Sequence, residues 1–254
     1  MINKYFVLSG GGCRGFAHLG AVKALQEHDI YPSRISGASS GAIAGAFLAG
    51  GLSPDEIKEI FVGKLKFSML SWNGFKLGLV SMKNIALFLK KNLPYQRFED
   101  LPIPFYSAAT NFADGRQHIF STGSIIDAII ASSSIPVIFP PVMIDGIPYV
   151  DGGLSNNLPI EPFGNNKKDI VGISVNPLKE FKENEGVLDI MDRAVHLTYQ
   201  EMVCRSSVGC YLFIEPKDLN KYGLFDINKL NEIFEIGYKF TRELLQKSKV
   251  SVKV

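Results

Sequence analysis

The sequence predicts an α/β protein of three layers, with a mainly parallel central sheet covered by helices on both faces. Short apolar runs of strand character alternate along the chain with stretches of helical spacing. Those runs are apolar almost throughout, as strands buried on both faces must be. The size is also right: 254 residues, 46% hydrophobic and 20% charged, suffice for one large α/β domain or two small ones. No internal repeat, low-complexity tract or linker divides the chain, so residues 1–254 read as one domain.

The elements follow in order. Residues 5–8, Tyr-Phe-Val-Leu, form a buried strand, and residues 9–12 a glycine-rich loop. A mostly apolar helix covers residues 14–28 and turns polar at Lys23, Gln26, Glu27 and His28. A short second strand, residues 34–36, leads into Gly37-Ala38-Ser39-Ser40-Gly41, and a helix over 40–48 carries small residues that allow close packing on the sheet. Ser53-Pro54-Asp55-Glu56 opens another helix with a capping box and a proline in the first turn. Residues 63–100 are the least regular, with a helical pattern resuming over 82–93. Two hairpins turn at Asp114-Gly115 and Asp145-Gly146, pairing residues 105–110 with 116–121 and 142–144 with 147–150. Between them Ser124-x-x-Asp127 starts a short helix, followed by a stiff segment, 134–141. Residues 170–175 and 211–214 are further buried strands. Helices over 187–205 and 227–245 complete the set, the last with Leu230, Ile233, Phe234, Gly237 and Phe240 on one face.

Three pieces carry chemistry. Gly37-Ala38-Ser39-Ser40-Gly41 reads G-x-S-x-G between a strand and a helix, the setting of a nucleophile elbow. Gly10-Gly11-Gly12-Cys13-Arg14-Gly15 follows the first strand and opens the first helix. It satisfies G-x-G-x-x-G, yet a dinucleotide fold wants an acid about 20 residues on, at the end of the second strand, and that strand ends in Ser36-Gly37. The alternative is an oxyanion-holding loop of backbone donors. For the base, His18 lies amid apolar residues and reads as a core histidine. His28, His118 and His196 also fall outside loops that follow strands. Spacing leaves a Ser-His-Asp triad open, because triads are defined by geometry. Asp151 is the best carboxylate: unlike Asp114 and Asp145 it stands at a strand exit before an irregular loop, Gly152 to Pro159, although an Asx-turn would also place it there.

Together these residues resemble the patatin-like phospholipases, whose pattern is a G-G-G-x-R/K-G loop, a G-x-S-x-G elbow and a distant D-G-A/G. All three occur here in that order, as Gly10 to Gly15, Gly37 to Gly41 and Asp151-Gly152-Gly153. Residues 131–136 and Phe139-Pro140-Pro141 resemble the family's serine- and proline-rich block, and residues 14–20 its first helix. The resemblance implies a patatin or lysophospholipase-like fold and a Ser-Asp dyad, with Ser39 as nucleophile and Asp151 as base. It further implies an oxyanion hole from the N–H groups of Gly11, Gly12 and Cys13, with Arg14 positioning the loop. The expected reaction is hydrolysis of fatty acyl esters of lipids or phospholipids through an acyl-enzyme, without metal or cofactor. An acyltransferase using the same intermediate, or a silent lipid-binding module, would share much of this pattern.

Composition narrows the partners. A net charge of +2 argues against a nucleic-acid surface. No apolar run approaches the ~18 residues that would span a bilayer. Residues 1–4 leave no room for a signal peptide before the first strand, and three cysteines without zinc-like spacing suit a reducing compartment. A cytoplasmic location is therefore expected, although a protein exported by a signal-independent route would have the same composition. Residues 63–100 hold seven Lys/Arg against Glu99 and Asp100, a balance that suits a lid or a peripheral contact with an anionic lipid surface. A solvated insertion with its own small core would read the same way.

Overall fold

A computed structural model of the protein describes residues 1–64, 71–72, 80–178 and 187–251. In chain order the strands are β1 (Ile2–Leu8), β2 (Ile30–Ala38), β3 (Ser71–Trp72), β4 (Val80–Ser81), β5 (Phe105–Asn111), β6 (Gln117–Phe120), β7 (Val142–Ile144), β8 (Ile147–Asp151), β9 (Ile170–Ile173) and β10 (Leu212–Ile214). The helices are α1 (Phe16–Gln26), α2 (Ser40–Ala49), α3 (Pro54–Lys64), α4 (Lys83–Asn92), α5 (Ile125–Ser132), α6 (Val187–Ser207) and α7 (Leu230–Ser251). The capping box at α3 forms as expected: Glu56 Oε2 accepts from Ser53 N at 2.8 Å, and Ser53 Oγ accepts from Glu56 N at 3.3 Å.

β10, β9, β1, β2 and β5 lie side by side in that order, every pair parallel. Alternate side chains of these strands enter different cores. Phe6 and Leu8 of β1 join Val171 and Ile173 of β9 beneath α1, α2 and α7. Tyr5 and Val7 point the other way, with Ile170, toward Phe163 and Val203 of α6. That division produces the three layers. The first two strands, β1 and β2, proved longer than their apolar runs. β2 begins at Ile30, and its pairing with β1 slips between Lys4 and Tyr5, opposite Pro32 and Ser33. Proline cannot donate to a ladder, so a bulge absorbs it.

The edge of β5 matters most for function. β6 pairs antiparallel with one edge, along residues 107–110. The other edge is shared: β2 pairs in parallel along residues 105–108, and β8 antiparallel along residues 109–111. β2 and β8 therefore run toward one another and meet head to head, with Ala38 opposite Ala108 and Asp151 opposite Ala109. The parts of the 63–100 expectation that fall on residues 65–70 and 73–79 lie outside the described residues. Within it, α4 is described and packs on the main core through Phe88 and Leu89.

Candidate active site

Ser39 occupies the single position between β2 and α2 and has φ 53° and ψ −123°. Such a backbone is strained for a side-chain-bearing residue and persists only where its surroundings hold it. Here the Ser39 N–H donates to Ser132 Oγ at 2.8 Å, and the Ser39 carbonyl accepts from Ala42 and Ile43 at the start of α2. A Cβ on Gly41 would collide with the Leu8 carbonyl, and one on Gly37 with the Gly41 carbonyl. The elbow's glycines thus allow α2 to start directly against β1.

Asp151 ends β8. Its N–H donates to Ser134 O at 2.9 Å, and its carbonyl accepts from Thr110 Oγ1 at 2.9 Å. A side chain on Gly152 would strike the Ala108 carbonyl. The carboxylate accepts from Gly153 N at 2.8 Å, and the neighbouring Ser39 hydroxyl favours its ionised form. Ser39 is 6% exposed and Asp151 4%. Burial raises the Asp151 carboxyl to about 6, against the lowering effect of Ser39 and Gly153.

The glycine loop sits beside this pair. Gly10 is gripped at both polar groups: its N–H donates to Asn157 Oδ1 at 3.0 Å, and its carbonyl accepts from Asn176 Nδ2. Gly12 has φ +56°, and a Cβ there would strike the Leu224 carbonyl. Arg14 is 1% exposed and donates from Nε to Gly11 O at 3.4 Å. Among the described residues, the Gly11 and Gly12 N–H groups donate to no protein acceptor, whereas that of Cys13 donates to Leu224 O at 2.8 Å. Of the three expected donors, Cys13 is thus already engaged, and Gly11 and Gly12 are left open among the described residues. The Cys13 thiol is pushed up to about 12, by burial first and by the Asp226 carboxylate second, so it stays protonated and offers no rival nucleophile.

A cavity of about 170 Å³ opens onto Ser39. Phe16, Ile43, Ala44, Phe61, Phe88 and Leu89 supply much of its apolar wall. A family model described as patatin-like phospholipase matches residues 6–163, a span that takes in the glycine loop, the elbow and Asp151. The chain belongs to the patatin-like phospholipase family. It is 27% identical over 280 residues to lysophospholipase NTE1 of Pyricularia oryzae, covering 95% of this chain and 18% of that protein. With lysophospholipase NTE1 of Cryptococcus neoformans the identity is 28% over 283 residues, covering 98% of this chain and 17% of that protein. The chain thus spans less than a fifth of the length of these curated relatives. VipD from Legionella pneumophila shares the fold, with a TM-score of 0.62 at 17% identity over 96% of this chain and 67% of that one.

In this patatin-like chain the histidines are all engaged away from Ser39. His18 is buried and donates from Nε2 to Ser9 O at 2.8 Å; burial lowers it to about 4, so it is neutral. His28 Nδ1 donates to Ala24 O, and His118 meets the Phe120 ring edge-on and the Tyr149 ring at a tilt. His196 Nε2 lies 3.1 Å from an Arg14 terminal nitrogen. Guanidinium only donates, so His196 accepts there as a neutral ring. Sequence reasoning missed His196 in this role, and also Asn157, Asn176 and Ser132. A signal existed for Asn176, a polar residue just beyond the C-terminal end of a parallel strand, where α/β proteins build sites. For Ser132 the serine-rich block at 131–136 marked the position but not the role, since its partners Ser39 N and Ala108 O lie on other elements.

Proposed function

We propose that the protein is a serine acyl hydrolase of lipid esters, of phospholipase A or lysophospholipase type, acting through Ser39 and Asp151. The observation that carries this reading is that the head-to-head ends of β2 and β8 bring Ser39 and the buried Asp151 carboxylate together beside an apolar cavity. The lysophospholipase names of the relatives and the family membership agree with it.

The proposed reaction runs in two stages. Near pH 7 most Asp151 is ionised, and it takes the Ser39 proton as Oγ attacks the ester carbonyl. Negative charge gathers on the carbonyl oxygen, within reach of the Gly11 and Gly12 N–H groups. Collapse passes the proton from Asp151 to the leaving alcohol and leaves the acyl group on Ser39. Water then gives its proton to Asp151 and attacks the acyl-enzyme, releasing the fatty acid and returning the proton to Oγ. The cavity accommodates the acyl chain, and burying each methylene contributes about 0.8 kcal/mol. Arg14, held by His196, keeps the Gly11 carbonyl turned away so that the loop's N–H groups face the site.

The test is to treat the protein with a fluorophosphonate, map the adduct by peptide mass spectrometry, and assay Ser39→Ala and Asp151→Asn on short-chain esters. The expected result is an adduct on Ser39 and a loss of at least about 10³-fold in kcat for either variant. An adduct elsewhere, or full activity in either variant, rejects the reading. Adding an alcohol acceptor and comparing free fatty acid with transfer product separates hydrolase from acyltransferase.

A further inference from the structure

The lining of the cavity beside Ser39 grades from exposed to buried among the described residues: Phe225 is 42% exposed, whereas Leu19 is 2% and Leu89 0%. The cavity follows α1 and α2 inward, past Phe16 and Leu19 on one and Ile43 and Ala44 on the other. At 1.5 Å rise per residue, Ala44 lies about 7 Å below Ser39 along α2. The next inward-facing residue of α2 is Phe47, and the Phe61 ring of α3 stands in front of it, edge-on with centroids 5.4 Å apart. The same ring meets Phe16 at 5.5 Å and Phe88 of α4 at 5.0 Å, both edge-on. Phe61 is therefore braced by rings from three other helices, is 8% exposed, and has no room to swing in a close-packed interior.

We infer that Phe61 is the floor of this cavity and sets the length of acyl chain that the enzyme uses best, an inference that rests on the acyl-hydrolase reading above. An acyl group on Ser39 extends down the cavity, each methylene leaving water for an apolar wall. That contribution corresponds to about a fourfold gain in kcat/KM per methylene. The gain ends where the chain meets Phe61, because further methylenes have to fold back or stay in water. The chain-length profile consequently rises and then breaks, and the position of the break is a property of Phe61 and Ala44. Ala44 narrows nothing at present; a larger side chain there would raise the floor.

The experiment measures kcat/KM over a homologous series of p-nitrophenyl esters, with fluorophosphonate labelling of Ser39 in parallel. Phe61→Ala and the milder Phe61→Leu are expected to move the break to longer chains, and Ala44→Leu to shorter ones. Leu87→Ala, on the exposed face of α4, leaves it in place. The break is read within each variant, so the fraction of folded protein cancels. A labelled, active enzyme whose break stays fixed in the Phe61 and Ala44 variants overturns the floor alone. Absence of both labelling and ester hydrolysis in the unmodified protein overturns the functional reading, and the floor with it.

Discussion

Asp151 stands under two opposing influences, and their balance determines how the protein responds to pH. Burial outweighs the lowering effect of Ser39 and Gly153, so its carboxyl lies near 6 rather than at the ordinary 3.8. On the proposed mechanism Asp151 acts as a base only when ionised, so kcat/KM should fall about tenfold per pH unit below about 6. A flat profile down to pH 4.5 contradicts the assignment. The stability consequence has the opposite sense. A raised pKa means that the folded state holds the proton more tightly than the unfolded chain, so stability falls as pH rises from about 4 to about 6 and stays lower above that. The penalty at pH 7 is on the order of 3 kcal/mol. Asp151→Asn should thus be inactive yet more resistant to urea at pH 7, with the advantage gone near pH 4. Denaturation midpoints at the two pH values check this. Asn157 makes a different contribution, because its amide oxygen is the acceptor for the Gly10 N–H. Asn157→Leu leaves that buried donor unsatisfied, at a cost of about 1–3 kcal/mol, and should slow labelling of Ser39 by more than tenfold. Unchanged labelling would show that the Gly10 contact does not position the loop.

At the scale of elements, the site is a junction rather than a loop cluster. Two strands arriving from opposite directions share one edge of β5, and α5 ties the junction together: Ser132 Oγ accepts from Ser39 N while donating to Ala108 O. Ser132→Ala removes both bonds at once. It should lower the thermal midpoint by several degrees and reduce kcat with KM little changed, since the acyl cavity is untouched. An equal rise in KM points instead to damage in the cavity wall. This junction also explains which features were legible in advance. The Gly37–Gly41 elbow, the capping box at Ser53, the two Asp-Gly hairpins and the position of Asp151 depend on local backbone chemistry, and sequence displays local chemistry. The head-to-head meeting of β2 and β8 depends on which edge of β5 each one finds, and no spacing encodes that. The same holds for Leu224, whose carbonyl reaches back to the glycine loop and takes the Cys13 N–H. The early start of β2 escaped for a local reason, because Pro32 and Ser33 interrupt its apolar run and the bulge that accommodates them needs the partner strand.

Across the whole molecule, the helices of one face do most of the enclosing. α1, α2, α3 and α4 surround the cavity, while α6 on the opposite face supplies His196 to Arg14. No described helix is long and apolar enough to cross a membrane. The shared edge of β5 has one more consequence, in the order of events during folding. Ser39 and Asp151 belong to distant parts of the chain, and neither reaches the other until β5 has paired with both β2 and β8. Helices and hairpins form locally and early, whereas such long-range pairing is slow because loop closure precedes its stabilisation. On refolding from denaturant, reactivity of Ser39 toward a fluorophosphonate should return with the slowest phase, well after the far-ultraviolet helix signal. Reactivity that returned together with the helix signal would place the junction among the first structures formed. Ser39 is in this sense a clock for the sheet, silent until its last edge has closed.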